Sequence, residues 1–367
     1  MDLRNLPYYV PNSNPFMELK DIIKESALPF LPAKTLMRFR AVCQDWRHKI
    51  SFPFFHHYQS LHCRSISALF CQTSQNPPVF IPIDIPKSCG VPDPSLSFLP
   101  EPVVIRSSSH GVLCCQGRNG DRPYYLCNPV TQQWKILPQP TADHGDDPKL
   151  VLIFEPSLLN FKPEYNLICA FHCADFDETG FEIYSSKNNA WNVSGEFCFG
   201  VERDKLRSGI HINSVAYWPV KSGGILSFDL KKDRSIYLES FMDYNGCILG
   251  TFGGRLCKVF IFDNAMYVKV LINIHTNTMS YDDIPWDEDY PYEMWTRRPV
   301  LDSDDTDMPL DDLTKVVAVT RYTVVVKRRN RFYSYDFQRQ RSKRIRSPPA
   351  ESPYVICVPY VNSLVSF

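Results

Sequence analysis

The chain has 367 residues, which is long enough for more than one domain. Its hydrophobic content of 44% and charged content of 22% are typical of a globular protein in water. The formal net charge is zero, which excludes a global electrostatic field that would draw the chain to nucleic acid or to a membrane surface.

Apolar runs and cysteines exclude further classes of protein. The sequence contains no run of about 18 apolar residues, so no membrane span is predicted. The 13 cysteines are odd in number and include no Cys-x-x-Cys pair, so a secreted disulfide framework is not expected. Cysteines such as the adjacent Cys114 and Cys115 are expected to be small buried hydrophobes. We therefore expect the protein in the nucleus, the cytoplasm or both.

The N-terminal part of the chain is predicted to be a flexible leader over residues 1–15 and a helical module over residues 16–60. Apolar side chains recur at helical spacing within this module, which predicts one amphipathic helix through Leu36, Phe39, Val42, Cys43 and Trp46. A module of this size cannot bury enough apolar surface alone. It must therefore pack on the rest of the chain or on a partner.

This module resembles an F-box. The family string Leu-Pro-x-x-x-Leu-x-x-x-x-x-Val-Cys-x-x-Trp is matched by LPAKTLMRFRAVCQDW from Leu31 to Trp46, whereas the usual opening Leu-Pro is replaced by Met17-Glu18-Leu19. The resemblance implies docking on the Skp-type adaptor of a cullin-based ubiquitin ligase. The adaptor contacts that it implies are Leu28, Leu31, Pro32, Leu36, Val42 and Trp46. The alternative is an ordinary helical cap on the following domain.

From about Ile66 the pattern changes to short alternating runs, which predict strands. A unit of strand, polar turn and strand then recurs, with copies at Tyr124–Pro138, Phe181–Gly195, Ile225–Glu239, Val270–Pro285 and Phe332–Ser347. Another strand pair lies between successive copies, and four strands per unit is the period of a propeller blade. The apolar segment Tyr354–Phe367 is predicted to pair with the strands near Ala68–Ile83 and so to close one blade.

The repeats resemble the kelch-like F-box-associated domain of a large plant family. The residues that carry this resemblance are SSHGVLC at 108–114 and LCNPVTQQWKILP at 126–138. The predicted fold is therefore an α+β multidomain chain. It has a small helical F-box followed, over residues 66–367, by an all-β kelch-like propeller of about six blades.

Catalytic motifs are not found in the sequence. It contains no Gly-x-Ser-x-Gly, no Gly-x-Gly-x-x-Gly and no His-Glu-x-x-His. Ser107–Ser109 beside His110 is interpreted as a plain turn, and His56-His57 has no further ligand at zinc spacing. No catalytic residue, cofactor or metal site is predicted.

Two charged tracts are candidates for recognition. The acidic tract Asp282–Asp312 has ten Asp and two Glu. Interleaved with them are possible anchors for a target protein, namely Trp286, Trp295, Arg297 and Arg298. The alternative interpretation of this tract is a solvated loop between blades. Lys327–Arg346 has nine Lys or Arg and could be a nuclear import signal or a phosphate-binding patch. The exposed face of a hairpin is the favoured interpretation of this basic tract.

Together the resemblances imply a substrate-receptor subunit of a Skp–cullin–F-box ubiquitin ligase. Its F-box would bind the adaptor and, through it, cullin, while the propeller would hold a target protein for ubiquitination and proteasomal degradation. The chain itself would be a non-catalytic recognition subunit, and direct binding to nucleic acid is not expected. The alternatives are a scaffold or nuclear regulator that acts without ligase assembly, and a propeller enzyme with ligands converging from several blades.

Overall fold

The structure is a computed structural model. It describes residue 23 and residues 26–62, 66–73, 76–83, 91–155, 164–173, 178–238, 247–252, 254–262, 265–271, 295–302, 313–320, 323–329, 331–337, 339–345 and 356–367. The predicted leader at 1–15 lies outside these residues. No helix among them has the length and apolar character needed to cross a membrane.

The helices come first in the chain. A 3-10 turn at Leu28–Phe30 is followed by α1 (Ala33–Phe39), α2 (Gln44–Ser51) and α3 (Pro53–His62). We call the segment from Leu28 to His62 the helical module.

The predicted single helix through Leu36 and Trp46 is wrong, because α1 and α2 are separate helices. The backbone of Cys43 is extended, with φ −156° and ψ 165°, and its Sγ accepts a hydrogen bond from the Trp46 N–H at 3.5 Å. The side chain of Cys43 thus caps the N-terminus of α2, a position where the first N–H groups of a helix need acceptors. The apolar spacing survives the break because the rings of Phe39 and Trp46 meet across the corner at 5.0 Å.

Strands fill the chain after the helical module. In chain order they are β1 (Ala68–Gln72), β2 (Val79–Pro82), β3 (Val103–Ser109), β4 (Val112–Gly117), β5 (Tyr124–Asn128), β6 (Gln133–Ile136), β7 (Lys149–Phe154), β8 (Tyr165–Cys173), β9 (Glu178–Ser185), β10 (Ala190–Cys198), β11 (Ile210–Ile212), β12 (Val215–Pro219), β13 (Ile225–Asp229), β14 (Arg234–Leu238), β15 (Ile248–Phe252), β16 (Arg255–Phe262), β17 (Ala265–Leu271), β18 (Trp295–Asp302), β19 (Thr314–Thr320), β20 (Thr323–Arg328), β21 (Arg331–Asp336), β22 (Arg341–Ile345) and β23 (Ile356–Tyr360). A second 3-10 turn, Arg203–Lys205, precedes β11.

These strands form six antiparallel sheets, which we number as blades 1 to 6. Blades 1 to 5 have four strands each, β3–β6, β7–β10, β11–β14, β15–β18 and β19–β22, and blade 6 has the order β2-β1-β23. The strands β3, β7, β11, β15, β19 and β23 contact one another in a closed ring. The structure is thus a six-bladed propeller preceded by short helices, which confirms the predicted fold class and blade number.

The ring closes between the two ends of the propeller. Strand β23 pairs with β1 from Ala68 opposite Tyr360 to Gln72 opposite Ile356, and β1 pairs with β2. The predicted pairing of the C-terminal segment with the first strands is therefore confirmed. Closure leaves no open end of the blade ring for another chain to extend.

Four of the five predicted hairpins are present as β5–β6, β9–β10, β13–β14 and β21–β22. The prediction at Val270–Pro285 is wrong, because β17 pairs with β18 and Leu271 lies opposite Trp295. The sequence pattern suggested a short polar turn there, whereas residues 272–294 connect the two paired strands. The ends of this connection therefore lie side by side on blade 4.

Apolar side chains fill the spaces between neighbouring blades. Trp218 of blade 3 is fully buried against Phe181 and Val151 of blade 2. Its indole Nε1–H donates to the carbonyl oxygen of Lys149 at 3.1 Å, so the polar end of the ring is paired as well. This packing makes the blades a rigid platform for the loops at either face.

Candidate functional site

The helical module has a buried side that belongs to the core of the propeller. Five of its apolar side chains are at most 1% exposed; they are Leu28, Ala33, Leu36, Ile50 and Phe55. They share one apolar cluster with Phe70, Val130, Tyr360 and Leu364 of the propeller. The module therefore satisfies its need for a packing partner within the chain.

Gln59 of α3 ties the helices to the last residues of the propeller. Its side chain is fully buried, its Nε2 donates to the carbonyl oxygen of Leu31 at 3.5 Å, and its Oε1 accepts from the N–H of Leu364 at 3.4 Å. The segment that includes Leu364 is itself held by Asn128, whose Nδ2 donates to the carbonyl oxygen of Val365 at 2.7 Å. A chain of hydrogen bonds thus connects the helical module to blade 1.

Two neighbouring histidines lie on α3. The Nε2–H of His56 donates to the carbonyl oxygen of Ile50 at 2.7 Å, and the ring of His57 lies 6.3 Å from that of Phe154. Burial lowers the pKa of His56 to about 4, although its hydrogen bond to Ile50 opposes the shift, and burial also lowers the pKa of His57. Both rings are therefore neutral at pH 7. Within the described residues no group of three His, Cys, Asp or Glu side chains could hold a metal ion.

The helical module also exposes large apolar side chains. Phe30 is 57% exposed, Val42 62%, Phe52 52% and Phe54 39%. We call these four residues the exposed apolar side. Ring contacts run along part of it, from Phe30 to His62 at 4.5 Å, from His62 to Tyr58 at 4.5 Å and from Tyr58 to Phe54 at 6.2 Å. Clustered exposed aromatic side chains are typical of a protein-binding surface.

The structure divides the six residues that the sequence implied as adaptor contacts. Leu28 and Leu36 are fully buried against the propeller. Leu31 and Trp46 are half-buried at the edge of the same cluster. Pro32 and Val42 are exposed.

Sequence reasoning did not single out Phe30, Phe52 or Phe54 as surface residues. The string FPFF at 52–55 could have predicted exposed phenylalanines, because adjacent residues of the helix that begins at Pro53 point in different directions and cannot all face the core. That phenylalanine is Phe55.

Three of the four residues suggested for target binding fall in β18. Trp295, Arg297 and Arg298 lie on this strand, opposite Leu271, Lys269 and Val268 of β17. The interpretation of this part of the acidic tract as a loop is therefore wrong. Trp286 lies outside the described residues.

The basic tract forms the hairpin of β21 and β22, as the favoured interpretation predicted. Strand β22 is the outermost strand of blade 5, and Arg341, Lys343 and Arg344 on it are exposed. These cations lie along the outer strand of the blade, and the Nζ of Lys343 donates to the carbonyl oxygen of Ile83 at 3.5 Å.

A buried ionisable cluster lies between blades 1 and 2. Glu182 accepts hydrogen bonds from the N–H and Oγ1 of Thr141, at 2.8 and 2.6 Å, and from Nε2 of His144 at 2.7 Å. The OH of Tyr124 lies 2.9 Å from the other ring nitrogen of His144. Burial alone would raise the pKa of Glu182, but the hydrogen bonds from His144 and Thr141 lower it below its usual value. The polar atoms of the cluster satisfy one another, so it fastens the segment between the two blades.

Comparison with known proteins places this architecture in a family. The profile of the "F-box associated beta propeller domain" matches residues 95–367. F-box protein At5g49610 of Arabidopsis thaliana is 28% identical over 265 residues, which is 66% of this chain and 68% of the relative. F-box/kelch-repeat protein At3g23880 of the same plant is 23% identical over 277 residues, which is 68% of this chain and 74% of the relative.

Among solved structures, the alignment with YjhT covers 72% of this chain and 91% of YjhT, at 11% sequence identity and a TM-score of 0.43. The family profile covers more than half of the chain, including all of blades 1 to 5 and the closing strand β23. The chain therefore belongs to the F-box-associated β-propeller family.

Proposed function

We propose that this chain is a substrate-receptor subunit of a Skp–cullin–F-box ubiquitin ligase. The helical module binds a Skp-type adaptor, which connects it to cullin, and the propeller holds a target protein for ubiquitination and proteasomal degradation. One observation carries the proposal: a helical module that is partly buried in the propeller also exposes Phe30, Val42, Phe52 and Phe54. A module with both buried and exposed apolar residues can join a rigid receptor to a partner.

The burial of the proposed adaptor contacts supports different roles for them. Pro32 and Val42 are free to meet the adaptor, and Leu31 and Trp46 can do so through their exposed portions. Leu28 and Leu36 support the surface from within. Phe30, Phe52 and Phe54 join the proposed contacts, because aromatic side chains supply much of the binding energy in protein interfaces.

The proposed role of the propeller is non-catalytic positioning of the target. Trp295, Arg297 and Arg298 lie together on one strand of blade 4, β18, which supports this strand as part of the target-binding surface. Trp286, Trp295, Arg297 and Arg298 stay our candidates for target contacts. We also propose that the protein works in the nucleus, the cytoplasm or both.

Co-purification with a Skp-type adaptor tests the proposal. The double variant Val42→Asp with Phe54→Ser should reduce adaptor capture by about tenfold or more, since it places a charge and a polar group on an apolar contact. The matched control is Phe199→Ser, because Phe199 is 72% exposed and follows β10 on the propeller. This control should capture the adaptor as the unchanged chain does.

Undiminished capture by the double variant would contradict the proposed contact surface. Capture of the adaptor without cullin would favour the alternative of a scaffold or nuclear regulator that acts without ligase assembly. Target candidates are proteins that bind both the unchanged chain and the double variant but accumulate only with the double variant.

A further inference from the structure

Two cysteines face each other where the propeller ring closes. Cys71 of β1 lies directly opposite Cys357 of β23, and their Sγ atoms are 3.3 Å apart although the residues are separated by 286 positions in the chain. Opposed residues of antiparallel strands have Cα atoms about 4.5 or 5.5 Å apart, and both values fall within the range that disulfides bridge. The sulfurs need to approach by roughly 1.3 Å to reach bonding distance.

The two thiols differ in accessibility and acidity. Cys71 is fully buried, whereas Cys357 is half-buried. The hydrogen bond from the Cys71 thiol lowers the pKa of Cys357, burial opposes this, and the positive charge of Lys327 on blade 5 adds to the lowering. The same hydrogen bond and burial raise the pKa of Cys71. Since the thiolate is the nucleophile, Cys357 is the thiol that reacts first and Cys71 the one that resolves the product.

A second cysteine pair in the chain offers a comparison. The Sγ atoms of Cys115 on β4 and Cys127 on β5 are 4.0 Å apart, and both residues are fully buried. They are not directly opposite, because Cys115 faces Tyr125 and Cys127 faces Leu113. Burial also raises the pKa of Cys115. The two sulfurs are close, but they are not accessible to solvent and their residues are not directly opposite on the paired strands. This pair is therefore the natural control.

We propose that Cys71 and Cys357 are a redox modification site at which peroxide forms a disulfide that locks the propeller closed. The Cys357 thiolate attacks one oxygen of hydrogen peroxide, the O–O bond breaks, and hydroxide leaves, so Cys357 becomes a sulfenic acid. The Cys71 sulfur then displaces the hydroxyl group, which leaves as water with the Cys71 proton. In total, two thiols lose two electrons and two protons, and one peroxide becomes two waters.

The consequence is a covalent bond between the two ends of the ring. In the reduced protein the described contacts between the two ends are non-covalent, and the β1–β23 ladder and the packing around it are among them. A disulfide across this ladder joins segments that are 286 positions apart, and closing a long loop restricts the unfolded chain strongly. The oxidised receptor should therefore unfold at a higher temperature than the reduced one.

The test treats the purified full chain with a few molar equivalents of hydrogen peroxide and maps cross-linked peptides by mass spectrometry without reductant. The Cys71–Cys357 cross-link should form in the unchanged chain and in Cys115→Ser, disappear in Cys71→Ser and Cys357→Ser, and reverse with dithiothreitol. In Cys71→Ser, a dimedone probe should label Cys357 as a trapped sulfenic acid. Lys327→Gln should slow the reaction several-fold compared with Lys315→Gln, which changes the exposed lysine directly opposite it.

Absence of the cross-link from the oxidised unchanged chain, which needs no variant to fold, would overturn the proposal. A Cys115–Cys127 cross-link formed at the same rate would also overturn it, since oxidation would then follow distance alone. An oxidised chain that unfolds no later than the reduced chain would refute the locking effect.

Discussion

The two sides of the helical module have similar composition but different surroundings. Leu36 and Phe55 are buried against the propeller, whereas Val42 and Phe54, from the same short helical stretch, are exposed. The helical module therefore contains two kinds of apolar residue, one that packs on the propeller and one that is exposed to solvent. Substitutions on the two sides should therefore separate stability from binding.

The largest expected effect comes from the buried side. Leu36→Ala should lower the free energy of unfolding by about 2–5 kcal/mol, because it leaves a cavity in a cluster that the propeller shares. Thermal unfolding followed by circular dichroism measures the change. Val42→Ala removes apolar atoms at an exposed position and is the control. Equal midpoints for the two variants would show that the two sides do not differ in this way.

Acidification should destabilise the helical module. The pKa of His56 is about 4 in the folded protein and 6.5 when unperturbed, so the folded state holds fewer protons between these values. Stability from this group is complete above about pH 6.5 and is lost as the pH falls to 4, on the order of 3 kcal/mol in total.

Urea unfolding of the unchanged chain and of His56→Gln across pH 7 to 4 measures this loss. The variant should lose less stability than the unchanged chain, while His48→Gln, at an exposed histidine, should behave like the unchanged chain. Identical pH profiles for the unchanged chain and His56→Gln would contradict the assignment.

Removing the amide of Gln59 should have a moderate effect. Gln59→Leu leaves the buried N–H of Leu364 without its acceptor, and an unsatisfied buried group costs about 1–3 kcal/mol. Hydrogen exchange at residues 361–367 and the thermal midpoint both report on this change. Gln44→Leu, at the exposed start of α2, should leave both unchanged. Unaltered exchange in Gln59→Leu would mean that the hydrogen bond does not hold the C-terminal segment.

The smallest effect on stability is expected on the exposed apolar side. Phe30→Ser should change the free energy of unfolding by only about 0.5 kcal/mol, as is usual for surface positions. Adaptor capture by the same variant should nevertheless fall, which a binding titration measures. A large loss of stability would show that the contact of Phe30 with His62 supports the fold instead.

Local patterns in the sequence were sufficient for most of the propeller. Alternating runs on either side of a polar turn predict hairpins such as β5–β6, because side chains of a strand alternate between faces and the turn sets the register. The pairing of β17 with β18 was not predictable in this way, since a long connection separates the two strands. The cap at Cys43 was missed because sulfur is an uncommon helix cap.

The helical character of the N-terminal module was predictable, whereas the burial of its individual residues was not. The order of residues from Leu31-Pro32 to Trp46 resembles an F-box, but spacing alone cannot say that Leu28 is buried while Val42 is exposed. That difference depends on Tyr360 and Leu364, which come from the opposite end of the chain and complete the cluster around the helices. Long-range packing of this kind leaves no periodic signal near the motif.

The position of β23 in the ring also orders events during protein synthesis. A ribosome makes the helical module and β1 first, but their packing partners Tyr360 and Leu364 emerge only after every other blade. Contacts between distant parts of a chain form slowly, because the intervening chain must first be brought together. The buried side of the module is thus completed only after β23 has been made, and we expect a nascent chain that lacks β23 to present an incompletely packed helical module. If the module binds an adaptor as proposed, that binding would be sensitive to whether the blade ring has closed.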